Sequence, residues 1–211
     1  MKPGRFTQRF AITDRRKVMK TVSMVRNTKE TNIDMTLTLG AEKGCFEGST
    51  GIGFFDHMLN SFCVHGGFNV KLSMKGDLNV DGHHTVEDVG IVLGKLFCEV
   101  LGDKGGIKRF GSSYVPMDEA LAFAAVDVSG RPYLVYNAEI LAPMIGDYDA
   151  QLTLEFMRAL SYNMGATLHV KVEYGVNEHH RTEAVYKAVA RALKEALTEN
   201  AGGVLSAKGV L

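Results

Sequence analysis

The sequence predicts an α/β protein built by tandem duplication of a strand-strand-helix-strand-helix unit. Strand-like alternation and helical apolar spacing follow one another in the same order in residues 18–107 and again in residues 108–211. The pattern His-His-x-x-Glu opens the last helix of both series, at His83 and at His179. We expect the two similar halves to share one core.

The elements of the first half follow from local patterns of polarity. Alternating apolar and polar side chains predict strands, and apolar residues three or four apart predict helices. The predicted order is a strand over residues 18–26, a strand over 33–39, a helix over 54–64, a strand over 68–74 and a helix over 83–101. Asn27, Thr28 and Asn32 favour a turn, so the first two strands are expected to form a hairpin. Gly102 ends the long helix.

The second half repeats this order after the glycine pair at residues 105–106. The same rules predict strands over residues 120–128 and 132–138, a helix over about 150–164, a strand over 167–174 and a helix over 179–198. Superposing the two long helices matches His83 with His179, His84 with His180 and Glu87 with Glu183. We therefore divide the chain into a first repeat over 18–107 and a second over 108–211, within one compact unit.

The composition excludes several classes of protein. The chain has 211 residues, with 24 basic and 24 acidic side chains and a formal net charge of zero, which argues against binding of nucleic acid or of a membrane surface. Lys95 and Glu99 interrupt the longest apolar stretch, so a membrane-spanning helix is not expected. Cys45, Cys63 and Cys98 are odd in number and lack CxxC spacing, as in proteins of a reducing compartment. We therefore expect a cytoplasmic protein.

Residues 1–17 stand outside the two repeats. They are rich in basic residues and lack the apolar core of a signal peptide, so export is not expected. We interpret them as a disordered tail. Regular alternation starts only near Val18, which makes Met19 an alternative start of the protein.

The two His-His-x-x-Glu patterns predict a metal site. Simple counting gives about 0.01 such patterns per chain by chance, so two at equivalent places are a signal. The first histidine and the glutamate share a helix face and can bind one ion, whereas the second histidine lies about 100° away and faces a different partner. The simplest arrangement is a pair of ions, each with ligands from both repeats, within one subunit or across a subunit boundary. The candidate ligands are His83, His84, Glu87, His179, His180 and Glu183.

Further candidates lie on the shorter helices. His57 precedes His83 by 26 residues and Glu155 precedes His179 by 24, so they occupy similar places and can complete a metal site. Imidazole and carboxylate without thiolate suit Mn, Fe, Co or Zn, and the spacing does not choose among them. His65 is interpreted as a neighbour of the site. The remaining histidine lies in a predicted strand and is expected to be a bystander.

Six motifs follow one another along the chain from about Lys20 to Leu211. They are Asn27-Thr28-Lys29-Glu30-Thr31, Phe55-Asp56-His57-Met58-Leu59, Asp81-Gly82-His83-His84-Thr85-Val86-Glu87-Asp88, Pro116-Met117-Asp118-Glu119-Ala120, the stretch from His179 to Leu193, and Lys208-Gly209-Val210-Leu211. With these motifs the chain resembles the imidazoleglycerol-phosphate dehydratase family of histidine biosynthesis. The resemblance implies tandem α/β halves like ribosomal protein S5 domain 2 and a 24-subunit shell with active sites between subunits. It also implies two Mn²⁺ ions per active site, with other divalent transition metals as alternatives.

The resemblance further implies dehydration of D-erythro-imidazole-glycerol 3-phosphate to imidazole acetol phosphate and water. The departing hydroxyl is on the carbon attached to the imidazole, and no carbonyl acidifies the proton on the next carbon. Metal ions on the ring nitrogens would hold the ring as an imidazolate, whose electrons expel hydroxide to form a diazafulvene-like intermediate. Glu30 matches a substrate-contacting glutamate of the family and is expected to act as acid or base, with Glu183 or Glu87 as the second candidate.

A phosphorylated imidazole substrate also needs cationic groups for its phosphate. By resemblance, the substrate-binding residues are Glu30, His57, His65, Arg109, Arg131, Lys187, Ser206 and Lys208. Three positions depart from the family pattern. Gly53 replaces a common proline and is expected to loosen its loop, Glu155 stands where many members have a ligand histidine, and Ala207 replaces a serine.

Two other classes of protein fit parts of this pattern. A di-iron carboxylate protein uses glutamate and histidine at helical spacing, but it needs a four-helix bundle, which the strand patterns argue against. A metal-storing shell would use histidines to crosslink subunits, yet it would not require Glu30 or the basic clusters. Asp118 and Glu119 lack metal-ligand spacing and are interpreted as turn or structural residues.

Overall fold

The computed structural model describes residues 19–41, 43–200, 203, 205 and 206. The expected tail, residues 1–17, and Val18, Ala207 and Lys208 lie outside the described residues. The first half contains β1 (Lys20–Asn27), β2 (Thr31–Leu39), β3 (Cys45–Glu47), α1 (Gly53–Gly66), β4 (Asn69–Gly76) and α2 (His83–Leu101). The second half contains β5 (Phe110–Met117), β6 (Ala120–Asp127), β7 (Tyr133–Asn137), β8 (Met144–Ile145), β9 (Tyr148–Asp149), α3 (Leu152–Met164), β10 (Thr167–Tyr174) and α4 (Glu178–Ala196).

The two halves form equivalent sheets. The strand order is β1-β2-β4-β3 in the first half and β5-β6-β10-β7 in the second. In each sheet the first two strands form an antiparallel hairpin, and the last strand runs parallel to its neighbour. The short pair β8-β9 is an addition to the second half. This architecture confirms the predicted fold class, and its sheets exclude the four-helix bundle of a di-iron carboxylate protein.

Within the described ranges the first half has one strand more than predicted, and the second half has three more, β5 and the short pair β8-β9. The missed strand of the first half, β3, has three residues, too few to show alternation. The longest strand missed in the second half, β5, contains Gly111 and Pro116, residue types that are depleted in strands. Glycine is needed there because a Cβ would lie 2.1 Å from the backbone oxygen of Ala192. The predicted series treats β6 and β7 as the first two strands of the second repeat. In the structure β6 instead forms its hairpin with β5, whereas β7 pairs with β10.

The helices pack across the two halves. Helix α1 packs against α4, and α2 packs against α3. Gly90 and Gly94 allow α2 to approach α3 closely, since Cβ atoms there would lie 2.8 Å from the Cβ of Ala159 and 2.7 Å from the backbone oxygen of Leu160. Buried side chains of both halves form one continuous hydrophobic cluster. This pairing brings the start of α1 next to the start of α4.

Polar side chains fix where the helices of the site begin. Asn177 caps α4, and its Oδ1 accepts the backbone N–H groups of His179 at 2.9 Å and His180 at 3.4 Å. The carboxylate of Asp81 accepts the N–H of His83 at 2.8 Å. Both histidine pairs therefore lie in the first turn of their helix, as predicted. No helix in the described ranges is both long and apolar enough to cross a membrane.

Candidate active site

Three of the predicted metal ligands meet between the two halves. His57 comes from α1, and His179 and Glu183 come from α4. Oxygen Oε2 of Glu183 lies 3.5 Å from Nε2 of His57 and 3.2 Å from Nε2 of His179. One ligand atom from each of the three residues lies within 4.8 Å of the other two. Glu183 is buried and His57 is exposed, so the cluster opens to the surface on the histidine side.

Aromatic contacts hold the ring of His179 in this cluster. The ring of Phe54, at the start of α1, packs edge-on against His179 with centroids 5.0 Å apart. Phe54 in turn packs against Tyr148 at 5.3 Å, and Tyr148 is fully buried. The position of one ligand from the second half therefore depends on a side chain of the first half.

The two oxygens of the Glu183 carboxylate have different neighbours. Its Oε2 faces the two imidazoles, and its Oε1 accepts a hydrogen bond from Lys187 Nζ at 2.7 Å. Burial opposes ionisation of this carboxylate, but the hydrogen bond and charge of Lys187, with His57 and His179, lower the pKa of Glu183 below its usual value. Glu183 is therefore a carboxylate, able to bind a cation, at neutral pH.

The second histidine of the first pattern lies elsewhere, beside Glu30. The Nδ1 of His84 lies 3.0 Å from Oδ2 of Asp77, and its Nε2 lies 3.9 Å from Oε1 of Glu30. The hydrogen bond with Asp77 raises the pKa of His84 above its usual value. Glu30 lies at the tip of the β1–β2 hairpin, with about half of its side chain exposed.

A buried polar network anchors the hairpin tip that carries Glu30. Asp88, on α2, is 6 % exposed and accepts hydrogen bonds from Arg26 Nε at 3.0 Å and Nη2 at 2.8 Å, and from Thr31 Oγ1. Within the turn, Oγ1 of Thr28 accepts the N–H of Glu30 at 3.1 Å. The turn is thus tied to the helix that begins with His83 and His84.

The second histidine of the second pattern has two acidic neighbours. The Nδ1 of His180 lies 2.7 Å from Oε2 of Glu119, and its Nε2 lies 3.5 Å from Oδ2 of Asp118. Hydrogen bonds from His180 and from the backbone of Asn177 lower the pKa of Glu119 to about 2, and the same contact raises the pKa of His180. Glu119, interpreted from sequence as a turn or structural residue, therefore contacts a candidate ligand, as does Asp77, which the sequence patterns did not single out.

The other predicted ligands do not form a second group like the first. His83 is exposed at the start of α2, and Glu87 is half-buried one turn later. Glu155 lies on α3 and accepts a hydrogen bond from Arg158 at 2.5 Å. In the part of the chain that the structure describes, His83, Glu87 and Glu155 do not come together within the 4.8 Å that defines the first cluster.

The predicted phosphate residues lie in two places. Arg109 binds both carboxylate oxygens of Asp127, at 2.6 and 3.0 Å, and Arg131 lies 3.3 Å from the same carboxylate. Arg109 also donates to the backbone oxygen of Leu205, the neighbour of Ser206, at 2.6 Å. Arg109 has a φ of 71°, a strained conformation for a residue other than glycine. Lys187 lies apart from this group, beside Glu183, and Lys208 is not among the described residues.

The remaining two histidines have different surroundings. His65, near the end of α1, is half-buried, and its pKa is lowered by burial and by the positive charges of Lys187 and Arg191. It therefore lies on the Lys187 side of the cluster. His169 is exposed on β10, opposite Ala125 and Val135 of the adjacent strands.

The fold and this site define a duplicated α/β protein with a histidine and carboxylate cluster built from both of its halves. The family model described as imidazoleglycerol-phosphate dehydratase matches residues 50–193. An imidazoleglycerol-phosphate dehydratase from Clostridium botulinum is 55% identical over 188 residues, covering 88% of this chain and 95% of the relative. Another from Bacillus cereus is 52% identical over 195 residues, covering 92% and 100%.

Two solved structures of imidazoleglycerol-phosphate dehydratases are also similar to this chain. The crystal structure of the dehydratase from Staphylococcus aureus superposes with a TM-score of 0.77 at 37% identity, covering 87% of this chain and 100% of that one. The Pyrococcus furiosus structure gives 0.77 at 36% identity, covering 89% and 100%. The chain belongs to the imidazoleglycerol-phosphate dehydratase family. The predicted family and the predicted enzyme class, a hydro-lyase, are confirmed.

Proposed function

We propose that this chain catalyses dehydration of D-erythro-imidazole-glycerol 3-phosphate to imidazole acetol phosphate and water in histidine biosynthesis, in the cytoplasm. We further propose that it uses two Mn²⁺ ions per active site, or other divalent transition metals, and assembles into a 24-subunit shell. Membership of the family supports the reaction. The observation that carries the metal proposal is the convergence of His57, His179 and Glu183.

The spacing of the cluster fits a divalent metal ion. Imidazole and carboxylate donors without thiolate suit Mn²⁺ and its neighbours in the first transition row. Ligand atoms about 2.1 Å from a common ion lie about 3.0 Å apart in an octahedron and about 3.4 Å apart in a tetrahedron. The observed separations of 3.2 and 3.5 Å from Glu183 Oε2 fall close to these values. Glu183 therefore lies at a distance from each imidazole that suits one shared ion.

The equivalent residues of the other helix pair are proposed to hold the second ion. His83 and Glu87 on α2 correspond to His179 and Glu183 on α4, and Glu155 on α3 corresponds to His57 on α1. Because α2 packs against α3 as α1 packs against α4, we assign Glu155, which binds Arg158 in the structure, to this second ion. His84 and His180 lie outside their own chain's cluster, so we assign them to ions shared with neighbouring subunits.

Glu30 is the proposed acid or base. When bound, the metal ions polarise the imidazole of the substrate, which makes departure of hydroxide and of the neighbouring proton feasible. Glu30 is held by its turn, its side chain is 52% exposed, and one oxygen lies 3.9 Å from Nε2 of a proposed ligand, His84. It can therefore move a proton next to the bound ring. Glu183 and Glu87 are the second candidates, but Glu183 already binds Lys187.

Two arginines are proposed to bind the phosphate. Arg109 and Arg131 converge on Asp127 beside Leu205 and Ser206, where their guanidinium groups can form charge-assisted hydrogen bonds with an anion. Lys187 and Lys208 are proposed to add positive charge, and His57 and His65 to line the substrate site.

The test of this function is Glu30→Gln. We expect turnover to imidazole acetol phosphate to fall about 10²–10⁴-fold, because the amide cannot exchange a proton. Mn²⁺ content and substrate binding should stay close to those of the wild type. Glu47→Gln, at an exposed glutamate on β3, is the matched control and should keep full turnover.

Three other outcomes would contradict the proposal. Unchanged turnover in Glu30→Gln would exclude the acid or base role, and loss of assembly would make Glu30 a structural residue. A wild-type protein that binds Mn²⁺ without turning over the substrate would favour the metal-storing shell.

A further inference from the structure

In both halves a carboxylate binds the Nδ1 atom of the second histidine of the pattern. The distance is 3.0 Å from Asp77 to His84 and 2.7 Å from Glu119 to His180. Because an ionised carboxylate only accepts hydrogen bonds, each Nδ1 carries the proton and donates it. The Nε2 atoms lie farther from any carboxylate, at 3.9 Å from Glu30 and 3.5 Å from Asp118.

The two contacts are not copies of one contact duplicated with the fold. Asp77 follows β4, whereas Glu119 lies in the turn between β5 and β6. In the first half the hairpin residue, Glu30, does not bind Nδ1 of His84, and Asp77 binds it instead. Different residue types at different places thus make the same contact in both halves, which argues that the contact itself is required.

The carboxylate of Glu119 is itself fixed in place. Its Oε1 accepts the backbone N–H groups of Val176 at 3.1 Å and Asn177 at 2.8 Å, directly before α4. With one oxygen bound to the backbone and the other to His180, it can rotate little. Asp77 is less constrained, because its buried Oδ1 has no hydrogen-bond partner among the described residues.

We propose that Glu119 and Asp77 are positioning residues that make Nε2 the metal-binding atom of His180 and His84. A carboxylate on one ring nitrogen fixes the tautomer and orientation of an imidazole, leaves the lone pair of the other nitrogen free, and makes that nitrogen a stronger ligand. This inference rests on the proposed metal sites. It assigns a role in them to two residues that are not ligands.

The experiment measures Mn²⁺ binding by calorimetry on the full-length, metal-stripped protein. We expect Glu119→Gln and Asp77→Asn to weaken binding about 10- to 100-fold, as removal of such partners typically does. The unfolding midpoint of the metal-free protein should stay near that of the wild type, which a merely structural role would not predict. Glu119→Asp should regain part of the affinity. The matched controls are Glu173→Gln on β10 and Asp34→Asn on β2, which should bind Mn²⁺ normally.

Each other outcome has a defined meaning. Wild-type affinity in both amide variants would overturn the positioning role while leaving the proposed function intact. A wild-type protein that binds no Mn²⁺ would instead overturn the proposed metal sites. If affinity and the metal-free unfolding midpoint fall together, and Glu119→Asp restores neither, the two carboxylates are structural and the inference is wrong.

Discussion

The two halves of the molecule share a fold and a motif but differ at the tips of their first hairpins. In the first half, Glu30 approaches His84 without a hydrogen bond, and the turn is anchored by Asp88. In the second half, Glu119 binds His180 directly, and the residue equivalent to Asp88 is Ala184. The helices and sheets are alike in the two halves, whereas a few polar residues at the hairpin tips make different contacts. In our proposal, the tip of the first half leaves a carboxylate available for reaction, and the tip of the second half positions a metal ligand.

The strongest test of this comparison replaces the second histidine in each half. We expect both His84→Ala and His180→Ala to reduce bound metal from the proposed two ions per chain toward one and to dissociate the proposed shell, because each histidine is proposed to complete a different ion between subunits. Metal analysis and light scattering on the purified proteins measure both effects. His169→Ala, at an exposed position on β10, is the control. An intact, metal-replete shell in either variant would refute shared ligation for that half.

The next test concerns the anchor found in the first half. Asp88→Ala leaves Arg26 and Thr31 without their buried acceptor, so we expect the free energy of unfolding to fall by about 2–3 kcal/mol. Urea denaturation of the metal-free protein measures this change. Asp34→Ala, at an exposed aspartate on β2, should change stability by no more than about 0.5 kcal/mol. Equal stability of both variants would show that the network is not what distinguishes the first tip.

The smallest expected effect lies at the other end of α4. Hydrogen bonds from Lys108 and from the backbone N–H of Ser112 lower the pKa of Glu195 below its ordinary 4.5. A lowered pKa in the folded state stabilises the protein above the unfolded pKa, and this stabilisation is lost as the pH falls through the folded value. The stability difference between wild type and Glu195→Gln should therefore be small and constant at neutral pH and shrink below about pH 4.5.

The equivalent glutamate of the first half, Glu99, supplies the control for this pH test. Glu99→Gln should not reproduce the acid-dependent change if the contacts of Lys108 and Ser112 cause it. Matching pH profiles for the two variants, measured by thermal unfolding, would contradict the assignment.

The sequence predicted what depends on local pattern. Residues four apart on a helix share a face, so the contact of His179 with Glu183 followed from spacing. The hairpin of β1 and β2 followed from alternation and turn residues. The strand β5 was missed because its glycine serves the approach of α4, a tertiary requirement.

The sequence predicted which residues belong to the candidate site but not which of them meet in space. That His57 would meet His179 depended on α1 packing against α4, and no local pattern contains that pairing. Glu119 lacks helical spacing to any ligand, so the sequence pattern does not point to it, yet the tip of its hairpin lies next to His180 at the start of α4. Its match in position to Glu30, at the tip of the equivalent hairpin, was the signal that could have found it.

The crossed packing of the helices also has a consequence for the order of folding. His57 and Glu183 are distant in sequence and meet only when α1 and α4 dock, so their contact forms after most of the chain has been synthesised. Contacts of such long sequence separation slow folding, because the chain loses entropy before they form. A first half released from the ribosome alone would expose the face of α1 that α4 normally covers, and it would have no partner for His57. The cluster of His57, His179 and Glu183 therefore cannot form on a chain that still lacks α4.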